Sequence, residues 1–259
     1  MLKKIIGLLV LLSLFFIINP ALAAKPNFAP EFPDKSGIYD VPGHPGMKVR
    51  VFVHPAKPAK PGTGSLSELK CGLTDPSSDA IVSEAGWIIP EGTWKYRVNP
   101  IAPSTISSDL DTIVQNSFEA WTTTTDLNNS KVSLHYDGTT GINRATYDGQ
   151  NIIAWGRTSG SALGVTYIWY QNGVAYELDT IMNNKFSWNW GGGTSALCAY
   201  TNVYDAQNIL THELGHWFGL DDHYTSDYVN NTMYGYGSKA EIKKDTPEQG
   251  DIAGVNALY

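Results

Sequence analysis

The sequence predicts an α+β domain: a twisted, mixed sheet with two long helices and a C-terminal helix. Two observations carry most of this. Strand-like runs rich in β-branched and aromatic residues recur between residues 93 and 182. Two further segments, ending near residues 123 and 220, read as helices, the first from the helical spacing of its apolar residues.

Residues 24–85 read as an N-terminal extension or propeptide, and residues 86–259 as the domain proper. Pro26, Pro30, Pro33, Pro42 and Pro45 make the start irregular, and Met47 to His54 alternates enough for one strand. Pro55 to Gly62 is a stiff, exposed, Pro-rich linker. Thr93 to Asn99 is the first strand of the domain. A helix from Ser104 to Thr123 places Ile106, Leu110, Ile113, Val114, Phe118 and Trp121 on one face, with Ser104 or Thr105 as cap. Further strands span Lys131–Tyr136, Asn151–Trp155, Leu163–Tyr170 and Val174–Met182, with a hairpin turn at Gln171-Asn172-Gly173. Asp205 caps the next helix, which runs to Leu220. Thr246 caps the last helix, Pro247 takes its first position and Gln249 follows three after the cap. Its apolar face is Ile252, Val255, Leu258 and Tyr259.

The N-terminus reads as a secretory signal over residues 1–23. Lys3 and Lys4 precede an apolar run from Ile5 to Ile18, and Ala21-Leu22-Ala23 fits a cleavage site before Ala24. The run is short for a membrane span, and no cysteine follows the site to take a lipid. A secreted, extracellular protein, monomeric and without a membrane partner after cleavage, is expected. The chain carries 18 basic and 25 acidic residues, a net charge of −7. Losing Lys3 and Lys4 makes the balance more acidic, which argues against nucleic acid as a partner.

His212-Glu213-Leu214-Gly215-His216 is the most informative segment. On a helix, His212 and His216 lie one turn apart on one face and can reach one zinc ion. Glu213 sits beside them, off the ligand face, where it can act as general base toward water. Gly219 tolerates the left-handed backbone that ends a helix, so the chain can swing a third ligand back. Asp222 stands at the right offset, and His223 follows it as the alternative.

The segment resembles the metzincin pattern, HExxHxxGxx(H/D). Thr232-Met233-Tyr234-Gly235 is similar to the methionine turn of that superfamily. Within it the chain resembles the matrixins: Asp251 to Tyr259 is similar to their last helix, Lys95 to Asn99 to their first strand, and Glu177 to Met182 to the stretch leading toward the zinc helix. The resemblance covers residues 85–259 and implies a secreted zinc-dependent endopeptidase, with His212, His216 and Asp222 on the metal. It also implies that Leu163 to Ile168 binds substrate backbone along its edge. Tyr236 has two readings, assistance at the oxyanion or packing. Calcium is a further cofactor that secreted relatives hold, although Asp137-Gly138 and Asp148-Gly149 read equally well as plain turns. A catalytically silent module with the same fold is the alternative function. Glu213 argues against it, because a pure binding site needs no base. A third ligand from Glu241, in the manner of thermolysin-like enzymes, fits less well than Asp222.

Cys71 and Cys198 leave two readings open. An even count in a secreted chain suggests one disulfide. Cys71-Gly72-Leu73-Thr74-Asp75 also resembles the matrixin cysteine switch, CGxPD, with Thr74 in place of proline. His44, His54 and His135 read as surface or packing residues. An aspartate ligand leaves the ion one positive charge poorer than three histidines do, so the water it activates should be less acidic. The activity optimum is therefore expected at neutral to mildly alkaline pH, and a pH–rate maximum below about 6 would contradict it.

Overall fold

The computed structural model describes residues 32–57, 67–193 and 196–259. The signal segment predicted over residues 1–23, the start of the extension and most of the Pro-rich linker lie outside the described residues. In chain order the strands and helices are β1 (Gly37–Asp40), β2 (Lys48–Pro55), β3 (Leu69–Cys71), β4 (Gly92–Val98), α1 (Leu110–Thr122), β5 (Val132–Thr139), β6 (Asn151–Gly156), β7 (Ala162–Gln171), β8 (Val174–Asn183), β9 (Trp188–Asn189), β10 (Cys198–Tyr200), β11 (Tyr204–Asp205), α2 (Ala206–Trp217) and α3 (Gln249–Asn256).

Seven strands form one mixed sheet in the order β1-β2-β7-β8-β6-β4-β5. The β4, β5, β6 and β8 pairings are parallel, whereas β7 runs antiparallel to both β8 and β2. β7 and β8 are joined by Asn172 and Gly173, both at positive φ (52° and 77°), the geometry a two-residue hairpin requires. Residues of the N-terminal extension thus supply two strands of the same sheet.

Side chains alternate across a strand, so each strand splits its residues between two cores. Val49 and Val51 of β2, with Val165, Tyr167 and Trp169 of β7, face one core beneath Phe32, Val41 and Met47. Phe52, Leu163, Ile168, Leu178 and Met182 face the other, which packs against α1 and α2. β3 pairs with β10, and a disulfide joins Cys71 to Cys198. Cys71 is therefore no free thiol, which sets aside the switch reading.

Three helix boundaries differ from expectation, each for a local reason. Residues 104–109 form turns before α1, with Ile106 N–H donating to Pro103 and the Thr105 hydroxyl donating to the Trp188 carbonyl at 2.6 Å. α2 ends at Trp217 because Gly219, at φ 91°, turns the chain and its N–H closes on His216. α3 is capped by Glu248 rather than Thr246, whose hydroxyl is engaged by Asp75 at 3.2 Å.

Asp251 of α3 is fully buried and accepts from the backbone N–H groups of Thr232 (3.0 Å), Met233 (3.1 Å) and Glu248 (3.0 Å), and from the Asn231 amide (3.2 Å). One carboxylate thereby fixes the methionine turn to the last helix. Asp251→Ala leaves those buried donors without an acceptor and should destabilise the fold by roughly 2–4 kcal/mol. Urea denaturation measures this, and a loss under about 1 kcal/mol would contradict it.

Candidate metal centre

Every residue of α2 is buried, so its polar groups must find partners inside the protein. Asp205 opens the helix by accepting from Gln207 N–H (3.0 Å) and Asn208 N–H (3.1 Å). Gly215 allows close packing on the helix: a Cβ there would lie 2.2 Å from Met233 Sδ and 2.8 Å from the Trp121 ring.

His212 Nδ1 lies 2.7 Å from the Thr232 carbonyl, and His216 Nδ1 lies 2.9 Å from the Leu220 carbonyl. A carbonyl can only accept, so each Nδ1 carries the proton and each Nε2 presents a lone pair. Both Nε2 atoms are buried and unpartnered. Asp222 Oδ1, likewise unpartnered, lies 3.2 Å from Nε2 of His212 and 3.6 Å from that of His216. Burial holds both imidazoles well toward the neutral form, so these contacts are not ion pairs. Donors about 2.0–2.2 Å from a tetrahedral zinc lie about 3.3–3.6 Å from one another. Both separations from Asp222 are therefore of the size that ligands sharing one zinc would show, and the second partners set the tautomer of both histidines.

Asp222 is raised by its burial, against the opposing pull of His216 and of the Tyr224 hydroxyl, which donates to Oδ2 at 3.1 Å. His223 is directed elsewhere. Its Nε2 accepts from Ser83 N–H at 3.0 Å and its ring stacks on Tyr228.

Glu213 is fully buried against β7. Oε2 accepts from the Thr166 hydroxyl at 2.5 Å, and Oε1 has no partner. Burial pushes its pKa up to about 8, with Thr166 opposing and Asp222 reinforcing. Met233 lies fully buried under the helix at Gly215. Lys244, also fully buried, donates to the carbonyls of Thr232 (3.2 Å) and Tyr234. Burial brings its pKa down to about 8. Tyr236 packs edge-on against Tyr224 and Tyr234.

The matrixin family model matches residues 87–259, well over half of the chain. The chain belongs to the matrixin family. None of the curated proteins compared with it matches. As a matrixin it is a zinc metallopeptidase, with peptides as substrates.

Two features of this matrixin were not anticipated. First, the edge of β7 is covered: β2 runs antiparallel along it, pairing Phe52 with Thr166 and His54 with Gly164. Second, His54 is buried, not at the surface, with its ring centroid 3.8 Å from that of His212. Ligand atoms of His54, His212 and Asp222 all lie within 4.8 Å of one another. Alternation along β2 puts Arg50, Phe52 and His54 on one face, but not beside any particular strand. Arg50 reaches Asp221 at 3.2 Å, and Phe52 stacks on His216 with centroids 3.7 Å apart. His44 and His135 are exposed, as expected.

Gly164 and Thr166 were also missed, because their role is steric and second-hand. A Cβ on Gly164 would lie 2.4 Å from Glu213 Oε1. Gly164→Ala should therefore displace the carboxylate and cost about 1–3 kcal/mol of stability. Thermal denaturation of the variant tests this, and an unchanged midpoint would contradict it.

Proposed function

We propose that the protein is a secreted endopeptidase in which His212, His216 and Asp222 hold zinc and Glu213 is the general base. Zinc, when bound, polarises the scissile carbonyl and makes water a competent nucleophile at neutral pH. The observation that carries the reading is the convergence of three unpartnered, buried donor atoms beside an unpartnered carboxylate oxygen. Thr166 holds Oε2 of Glu213, which leaves Oε1 to accept the attacking water's proton and return it to the leaving amine. Asp222 is oriented by Tyr224, and the two histidines by Thr232 and Leu220. Leu163 to Ile168 is paired with β2 on one side and β8 on the other, so it could take substrate backbone only after β2 leaves that edge.

The signal-like residues 1–23 and the Cys71–Cys198 disulfide support export to an oxidising, extracellular compartment. The division into an extension over residues 24–85 and a catalytic domain over 86–259 is supported by the span of the family match. Glu213 weighs against a silent binding module, which has no use for a buried carboxylate beside its ligands.

Zinc content and hydrolysis of a generic protein substrate should be compared for the wild type and Glu213→Ala, each as secreted and after limited proteolysis of the N-terminal segment. Zinc is expected in both proteins, with cleavage by the wild type in at least one form. Glu213→Ala should be slower by about 10²–10⁴-fold. Comparable cleavage by Glu213→Ala would remove the base. Zinc without cleavage in either wild-type form would establish the silent module.

A further inference from the structure

Strand β2 crosses the site in the manner of a bound peptide. It adds antiparallel to the β7 edge from Lys48↔Tyr170 to His54↔Gly164. Past the site the chain stays held on both sides: Ala56 N–H donates to Ser161 (2.8 Å), Lys57 N–H donates to Gly237 (2.8 Å), and Gly237 N–H donates back to Pro55 (3.2 Å). Its outer face is sealed into a core through Val49 and Val51. Upstream of β1, Asp34 accepts from the Tyr167 hydroxyl and from Ser159 N–H at 2.6 Å. β2 is thus an integral strand whose inner face closes the cleft with Arg50, Phe52 and His54.

His54 sits opposite Gly164, the residue against which the Glu213 carboxylate packs. A scissile bond presented to Glu213 would need that place. Both ring nitrogens of His54 are buried without a hydrogen-bond partner. An imidazole in that state has lost its water without compensation, which is costly unless a metal takes one lone pair. Its grouping with His212 and Asp222 supplies the location of that metal. Zinc held by three protein ligands keeps a fourth position open, whereas four protein ligands close it.

We propose that His54 is a fourth protein ligand at this centre, and that β2 is a built-in occupant of the substrate edge, so that the full chain folds as its own inhibited form. This rests on the metal-centre reading given above. His54 fills the position water would need, while β2 supplies the backbone pairing a substrate would make. No cross-link holds β2 itself, since the Cys71–Cys198 bond lies downstream of it, so displacing β2 opens both the edge and the fourth position together.

Cobalt(II) in place of zinc makes the coordination visible in the full-length chain. The wild-type absorption spectrum should be unmoved by acetohydroxamate, a small metal-binding probe. The His54→Ala spectrum should differ from that of the wild type and shift further on adding the probe. His54→Cys should gain a near-ultraviolet thiolate-to-cobalt charge-transfer band, which arises only if the side chain at position 54 reaches the metal. That band reads coordination directly, so it serves even if His54→Ala fails to fold. A wild-type spectrum that responds to the probe as strongly as His54→Ala, or a His54→Cys protein that binds cobalt without the band, would overturn the fourth ligand alone. A wild type that binds no metal, or a His212→Ala protein that binds it as well as the wild type, would overturn the metal centre and this proposal with it.

Discussion

Helix α2 is buried on every side, and the rest of the structure answers to that constraint. A buried polar group without a partner is costly, and several on the helix draw a neighbour to them. Lys244 N–H donates to Asn208 at 2.7 Å, the Trp121 indole donates to the Thr211 carbonyl at 2.8 Å, and the Trp190 indole donates to Gln207 at 3.0 Å. The two histidines spend one nitrogen each on a carbonyl from a loop beyond the helix. Most of what stays unsatisfied on its second half points to one place, where Asp222 and His54 arrive from other elements. A site for a cation is what this pattern of satisfied and unsatisfied groups amounts to.

The same accounting explains why a methionine turn and a last helix belong to the centre without touching it. Thr232 supplies the carbonyl that fixes His212, and its own N–H is held by Asp251. Lys244 donates to that same carbonyl. The position of one imidazole therefore depends on a chain of contacts that runs into α3. Buried charge of both signs meets there, Lys244 against Asp251 and Asp222, in surroundings that weaken each alone.

The sequence made the local parts of the site legible. His212, Glu213 and His216 are related by helical spacing, and Asp222 by a glycine turn, so neighbours along the chain are neighbours in space. The sheet strands were legible for the same reason, from alternation and a two-residue hairpin. His54 was not, because it is brought to His212 by strand pairing across most of the chain, and no local pattern marks which edge β2 will join. Gly164 and Thr166 escaped because they act on Glu213 through sheet register. The helix starts at Thr105 and Thr246 were misread because both hydroxyls bind other parts of the fold, a competition that capping rules do not see.

The stretch from Ser78 to Ala85 lies along the start of α3 and the end of α2. Val82 N–H donates to the Gly250 carbonyl, and Ala85 N–H donates to the Gly219 carbonyl. A Cβ at Gly250 would lie 1.9 Å from the Ala80 carbonyl oxygen, and one at Gly254 would lie 2.6 Å from that of Val82. The last helix thus presents a glycine groove shaped to a backbone that precedes the family-matched region. A chain cut back to residue 87 would leave that groove, and part of the support for α3, facing water. The packed unit is therefore longer than the one that family likeness outlines, because it takes in the stretch from Ser78 to Ala85.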